Sequence, residues 1–201
     1  VVKTLYAIAR THMRNGLHET ALDVCMQGLG LRQEGINPEN VIYLLRTAAD
    51  IHYSMGKNDV AIEYYTQALD LMNRTGVEKG REHILGGFGM TYCAMHRYPE
   101  ALQYLQESLH LARREGSTRT EANILLHLAR VYWGLGDYQQ ALDTDMEALA
   151  LCEAIDDRLN TSYLQFNIGN IYFVLGDYET AGEHYNRSLK AAESIEHLSA
   201  Q

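Results

Sequence analysis

The sequence predicts an all-α chain, a solenoid of five helix-turn-helix repeats. Three observations lead there. The stretch GDYQQALDTDMEAL, which begins at Gly136, returns forty residues later as GDYETAGEHYNRSL from Gly176. At the same interval alanine recurs as Ala21, Ala61, Ala101, Ala141 and Ala181, and leucine as Leu29, Leu69, Leu109, Leu149 and Leu189. Apolar residues within each unit fall one, three and four apart, the period of a helix face, and the alternation of a strand is missing. A fixed period of this size marks a repeat architecture, in which each unit buries its apolar face only against its neighbours.

The chain divides without a gap into units 1–40, 41–80, 81–120, 121–160 and 161–201, read here as one repeat domain. The first unit opens on VVKTLYAIA and turns at Gly16 into GLHETALDVCMQGL. The second turns at Gly56 into GKNDVAIEYYTQAL, and the third at His96 into HRYPEALQYLQESL. In the fourth, Ile124, Leu125, Leu128, Ala129 and Tyr132 form one face, and Gly136-Asp137 ends the helix as a glycine after the last periodic residue should. Its second helix carries Ala141, Leu142, Met146, Leu149 and Leu151. The junctions GINPEN, TGVEKG, EGSTRT and DDRLNT are short and polar, as connections should be. The last helix, AGEHYNRSLKAAESIEHLSAQ, is polar enough to act as a cap, with Gly182 where earlier units have Leu22, Ile62, Leu102 and Leu142. Nothing covers the outer side of the first unit, and the chain starts Val-Val, so further repeats or another domain are expected before it.

Small residues explain how the helices meet. Ala9, Ala49, Gly89, Ala129 and Gly169 recur in the first helices, opposite the alanine register of the second. Two helices approach closely where neither carries bulk, and larger residues fill the flanks.

Composition narrows the function. Of 201 residues 46% are hydrophobic and only 2 are proline, which leaves long helices unbroken. No apolar run approaches the roughly 18–20 residues that span a bilayer, and no signal peptide opens the chain, so no membrane role and a cytoplasmic location are expected. Cys25, Cys93 and Cys152 lack paired spacing and read as reduced, semi-buried thiols. The net charge of -9 argues against nucleic acid. Catalysis finds no support: GGFG at 86–89 lies inside a helical pattern, and no nucleophile elbow, HExxH or cysteine–histidine arrangement occurs. No cofactor is implied. His12 and His52 stand where later units have Tyr92, Tyr132 and Tyr172; a metal site there lacks a third ligand in register, and packing is the preferred reading. Asp145 fills the slot of Tyr65 and Tyr185, and a buried carboxylate needs partners, for which Asn167 and Tyr163 are the candidates. A functional notch is the alternative.

The order of residues within a unit resembles the tetratricopeptide repeat: a large apolar residue, leucine, a small residue and tyrosine at steps of three, one and three, then alanine and an aromatic. The fifth unit matches with Ile168, Gly169, Tyr172, Ala181 and Tyr185. The fourth matches with Leu125, Leu128, Ala129, Tyr132 and Ala141, and the second with Leu45, Ala49, Ala61 and Tyr65. Two departures stand out. The closing proline slot holds Gln33, Asn73, Arg113, Glu153 and Glu193, and the unit is forty residues long, which resembles a long-repeat branch found in polarity scaffolds and bacterial peptide-sensing or signalling regulators.

The resemblance implies a right-handed superhelix whose first helices line a concave, ligand-binding groove. Carried over, the variable positions are Lys3, Tyr6, Arg10, Met13 and Arg14, then Tyr43, Arg46, Asp50, Tyr53 and Ser54. The third unit offers His83, Gly86, Met90, Cys93 and Ala94, and the fourth Asn123, Leu126, Arg130, Trp133 and Gly134. The fifth gives Tyr163, Phe166, Asn170, Phe173 and Val174, with Asn167 beside them. Lys3, Arg10, Arg14, Arg46 and Arg130 oppose only Asp50, so an acidic segment is the expected ligand, with Trp133, Tyr163, Phe166 and Phe173 taking its apolar anchor. A solvated face with an accidental basic tilt is the plainer reading. Three roles remain in view: a protein- or peptide-binding scaffold, a sensory segment of a larger signalling protein, and self-association through the repeat ends.

Overall fold

The computed structural model describes residues 1–31 and 37–199. They form ten α-helices, and no strand occurs among the described residues. In chain order they are α1 (Val2–Arg14) and α2 (His18–Gly30), α3 (Pro38–Ser54) and α4 (Asn58–Thr75), then α5 (Arg81–Ala94) and α6 (Tyr98–Glu115). The chain continues with α7 (Thr118–Leu135) and α8 (Tyr138–Ala154), then α9 (Arg158–Leu175) and α10 (Tyr178–Ser199). Each forty-residue interval thus carries two helices, with α3, α7 and α9 starting at Pro38, Thr118 and Arg158, just ahead of the sequence units that begin at 41, 121 and 161. Helices α4, α6, α8 and α10 run on past Asn73, Arg113, Glu153 and Glu193, where a proline would have stopped them. Gln33 lies outside the described residues.

The turn register has a backbone cause. The first helix of the fourth pair ends on Gly136 in the left-handed region at φ 78, its N–H bonded to the Trp133 carbonyl. The equivalent residues Gly16, Gly56 and Gly176 have the same sign of φ, and so does His96 at φ 59. Glycine carries no Cβ penalty there, which explains its recurrence. Side chains cap the helices that follow: Asp137 accepts from the Gln140 N–H, Asp157 from Asn160, and Asn37 from Glu39 beside Pro38.

The helices fall into two compact units, Val1–Arg97 and Tyr98–Gln201. In the first, α1 packs on α2 and α3, α2 on α3, and α3 and α4 on α5 and on each other. In the second, each of α6 to α10 packs on the next. Ala9 and Ala21 are both fully buried in one cluster with Cys25, Leu44, Ala48 and Ile51. In the last pair a Cβ on Gly169 would lie 3.2 Å from the Ala181 carbonyl oxygen and 2.7 Å from the Tyr185 ring. The small-residue slots therefore mark where backbones nearly touch. Gly87, within GGFG, faces the Tyr65 ring at a distance no Cβ could share, so that glycine serves packing.

The His52 slot resolves the same way. His52 is buried and stacks on Tyr64 at 5.3 Å. In the last pair the two ring types exchange places, Tyr172 stacking on His184 at 5.5 Å. His184 is also bonded to Gln165 at 2.7 Å inside the α9–α10 contact. Burial, with Lys57 second, pulls the His52 imidazole below its ordinary pKa, so it packs as a neutral ring. All three cysteines are buried free thiols; burial pushes Cys25 up to about 12 and Cys152 to about 11.

Two stability measurements check this packing. Ala141, 1% exposed, sits in the alanine register of α8, and Ala141→Leu is expected to destabilise by roughly 1–3 kcal/mol in denaturant melts. Gly136 has open space around its missing Cβ, so Gly136→Ala tests the backbone alone; a loss of about 1 kcal/mol is expected, and none would mean the left-handed turn is dispensable.

Candidate functional site

The first helices of the two units present different chemistry. In unit one, Tyr6 on α1 stacks on Tyr43 on α3 with ring centres 5.4 Å apart. Arg10 and Arg46 both donate to the Tyr6 hydroxyl, each at 3.3 Å, and lie over the Tyr6 and Tyr43 rings respectively. Arg46 Nε is buried with no hydrogen-bond partner. Tyr6, Arg10 and Arg14 line a shallow hollow of about 230 Å³ with Ala7 and Thr11. Lys3 is exposed on the same helix, and Tyr53 is half-buried on α3. Tyr43 donates to Glu39, which Lys79 approaches to 3.5 Å.

Asp50 has a structural tie. It accepts the Tyr65 hydroxyl at 2.5 Å, across the α3–α4 pair. Burial raises its pKa, with Arg46 and the Tyr65 hydrogen bond pulling the other way. The same register pair recurs fifteen residues apart in the last repeat, where Tyr185 donates to Asn170 at 2.9 Å. A tyrosine from the second helix thus reaches through the packing layer to a polar residue on the first.

The fourth repeat breaks this pattern. Its register pair is Arg130 with Asp145, and the short aspartate leaves unfilled the space that a tyrosine ring takes in the second and fifth repeats. A cavity of about 270 Å³ opens there, lined by Leu126, Ala129, Arg130 and Trp133 of α7, Asp145 of α8, and Tyr163, Asn167, Asn170 and Ile171 of α9. The lining identifies its origin. Ala129 is the register equivalent of Gly169, against which the Tyr185 ring lies, and Asn167 that of Gly87, against which the Tyr65 ring lies. Asp145 is 2% exposed and its Oδ1 has no hydrogen-bond partner. Asn167 and Tyr163, the partners expected from the sequence, line the same cavity without bonding to that oxygen. Asparagine and tyrosine side chains on the next helix face open space here, so the sequence expectation of a satisfied carboxyl is corrected.

The remaining candidates lie outside this cavity. Asn123 accepts from the Asn160 side chain at 3.1 Å. Phe166 packs against Tyr185 at 5.7 Å and Phe173 edge-on against Tyr178 at 5.3 Å, both about half exposed. Trp133 makes the equivalent edge contact with Tyr138 and still lines the cavity. Sequence periodicity flagged Asp145 as the odd member of an aromatic slot; that this oddity opens a cavity needed the neighbouring helices.

Burial alone pushes Asp145 up to about 8. Well below pH 4 the carboxyl is protonated in both folded and unfolded chains. As pH rises the unfolded carboxyl ionises first, and the folded one holds its proton until about 8, so this group withdraws on the order of 1 kcal/mol of stability per pH unit across that window. His127, lowered to about 4 by burial and then by Arg130, has the opposite slope, costing stability as pH falls below about 6.5. Melting curves should therefore show Asp145→Asn gaining on the wild type as pH rises through neutrality. Parallel curves would mean that the folded carboxyl is already ionised.

The tetratricopeptide repeat family profile matches residues 1–74, 81–154 and 120–194. No curated protein matches the chain in sequence. Among solved structures it is similar to BtubC from P. vanneervenii, at TM-score 0.83 and 19% identity over 97% of this chain and 81% of that one. It is similar to a Rap protein solved in complex with Competence and Sporulation Factor, at TM-score 0.83 and 21% identity over 96% of this chain and 54% of that one, so it spans about half the Rap chain. A STAND protein with a tetratricopeptide repeat sensor, PH0952 from Pyrococcus horikoshii, matches at TM-score 0.82 and 17% identity, over 98% of this chain and 30% of that one. At these identities the likenesses establish the fold. With ten helices in a forty-residue register and the family profile matched along most of its length, the chain belongs to the tetratricopeptide repeat family, whose fold serves as a protein-interaction scaffold.

Proposed function

We propose that the chain is a non-enzymatic protein- or peptide-binding scaffold whose first-helix faces take an acidic segment carrying an apolar anchor. One observation carries the acidic part: two guanidinium groups, Arg10 and Arg46, converge on the Tyr6 hydroxyl, and Arg46 Nε still lacks a partner. Rigid, ring-supported guanidinium forks match the planar, two-oxygen geometry of a carboxylate. Arg14 and Lys3 on the same helix extend the positive face. The anchor reading draws on the second unit, where the Trp133, Tyr163, Phe166 and Phe173 rings are all exposed. A binding role is in keeping with the Rap neighbour, which was solved with a bound factor.

A sensory role within a larger signalling protein is the second reading. The specific observation behind it is the match to the repeat sensor of a STAND protein, of which this chain covers 30%.

Exposed ion pairs contribute only about 0.2–1 kcal/mol each, so the arginines should govern orientation and association rate more than affinity. The test is a peptide array read with wild type and with the Arg10→Glu, Arg46→Glu double variant. Acidic sequences should dominate the wild-type hits, and the reversal should slow association and erase that preference. Trp133→Ala should instead speed dissociation. Wild-type hits that are basic, or that survive the reversal unchanged, would overturn the acidic assignment.

A further inference from the structure

The cavity among α7, α8 and α9 holds a buried carboxyl oxygen without a hydrogen-bond partner, the Oδ1 of Asp145. We propose that this cavity is a subsite for a cationic side chain of the bound segment, an ammonium or guanidinium on an aliphatic stem, whose N–H donates to Asp145 Oδ1. The inference rests on the reading of the first helices as binding faces and adds the chemistry of the one in the second unit.

Three features of the cavity support it. A carboxyl that is 2% exposed and unpaired costs free energy that a donor from the ligand would relieve. A cation is the donor best matched to it, because the charge-assisted bond strengthens in a poorly hydrated site. Apolar Leu126, Ala129 and Ile171 offer a wall for the stem, and the Trp133 and Tyr163 rings attract a cation at the mouth. The charged and titratable groups lining the cavity with Asp145 are Arg130 from α7 and Tyr163 from α9; α7 also carries His127. Arg130 is exposed and lines the cavity, so its charge opposes the cation's, and the bond to Asp145 has to outweigh that repulsion.

The held proton agrees with this arrangement. Burial keeps the empty site's carboxyl largely neutral near pH 7, and an arriving ammonium would favour its ionisation, the proton passing to solvent.

Trp133 is the only tryptophan, so its fluorescence reports on the cavity directly. The probes are n-butylammonium, butyramide and butyrate, titrated against the whole chain as wild type, Asp145→Asn and Asp145→Leu. Wild type should respond saturably to n-butylammonium and about tenfold more weakly to butyramide and butyrate, the weight of one charge-assisted hydrogen bond. Asp145→Asn should lose that preference. Asp145→Leu removes the unpaired carboxyl, so it should melt higher than wild type, which proves it folded, and should not respond. The proposal is overturned if wild type gives no response, if butyramide or butyrate matches the amine, or if the amine preference survives Asp145→Asn. An amine-blind cavity in a chain that still selects acidic peptides would sink this inference alone. Amine binding in a chain that captures no peptide would sink the binding-face reading instead.

Discussion

The structure depends on close approach between helices that carry almost no side chain at the point of contact. Gly169 against the Ala181 carbonyl shows the constraint directly, since a Cβ there would stand 3.2 Å from backbone oxygen. Fully buried Ala9 and Ala21 obey it in the first pair. Once the backbones are this close, the flanking positions have little freedom. Rings must lie in the gaps beside the contact, which is why Tyr65 rests on Gly87 and Tyr185 on Gly169. Packing at this density leaves few ways to vary a residue without opening or straining the layer.

Function, on this view, enters where the ring layer is altered. Tyr65 and Tyr185 each pass through the layer and bind a polar residue on the first helix, Asp50 and Asn170. They close the layer and satisfy a side chain that would otherwise be stranded. Asp145 does neither, and the result is a cavity with an unpaired carboxyl. A leucine or tyrosine in that slot would be expected to stabilise the pair, because it removes the unpaired carboxyl. In unit one the polar groups stand on a pair of stacked rings instead. Tyr6 and Tyr43 form a stacked base that holds two arginines in place.

Much of this was legible in the sequence because a repeat samples the same environment five times. Alanine in one slot and glycine in another report a backbone contact and a left-handed turn even before any helix is placed, and the structure has both. His52 was legible as a packing residue for the same reason, though not its partner: it stacks on Tyr64, and the last pair swaps the two types as Tyr172 and His184. What periodicity could not supply is the fate of a residue that departs from it. Asp145 was visible as an exception, and the sequence supplied two plausible partners, yet neither reaches its Oδ1. Asn123 likewise shares the inner-face register of Arg130, but its amide is taken by Asn160 from the next repeat.

By itself, then, the sequence determined what depends on local geometry repeated in register: helical content, the place of each turn, the small-residue contacts and the family. Those follow from backbone torsions and from side-chain bulk, which are properties of a residue and its near neighbours in the chain. Only the tertiary structure decided which polar groups are satisfied. Whether Arg10 and Arg46 meet on one hydroxyl, or a carboxyl finds a donor, turns on distances of an ångström or less between helices forty residues apart in sequence. Hydrogen bonds lose most of their strength over that range, so a spacing rule that places a helix correctly still leaves the chemistry of its inner face undetermined.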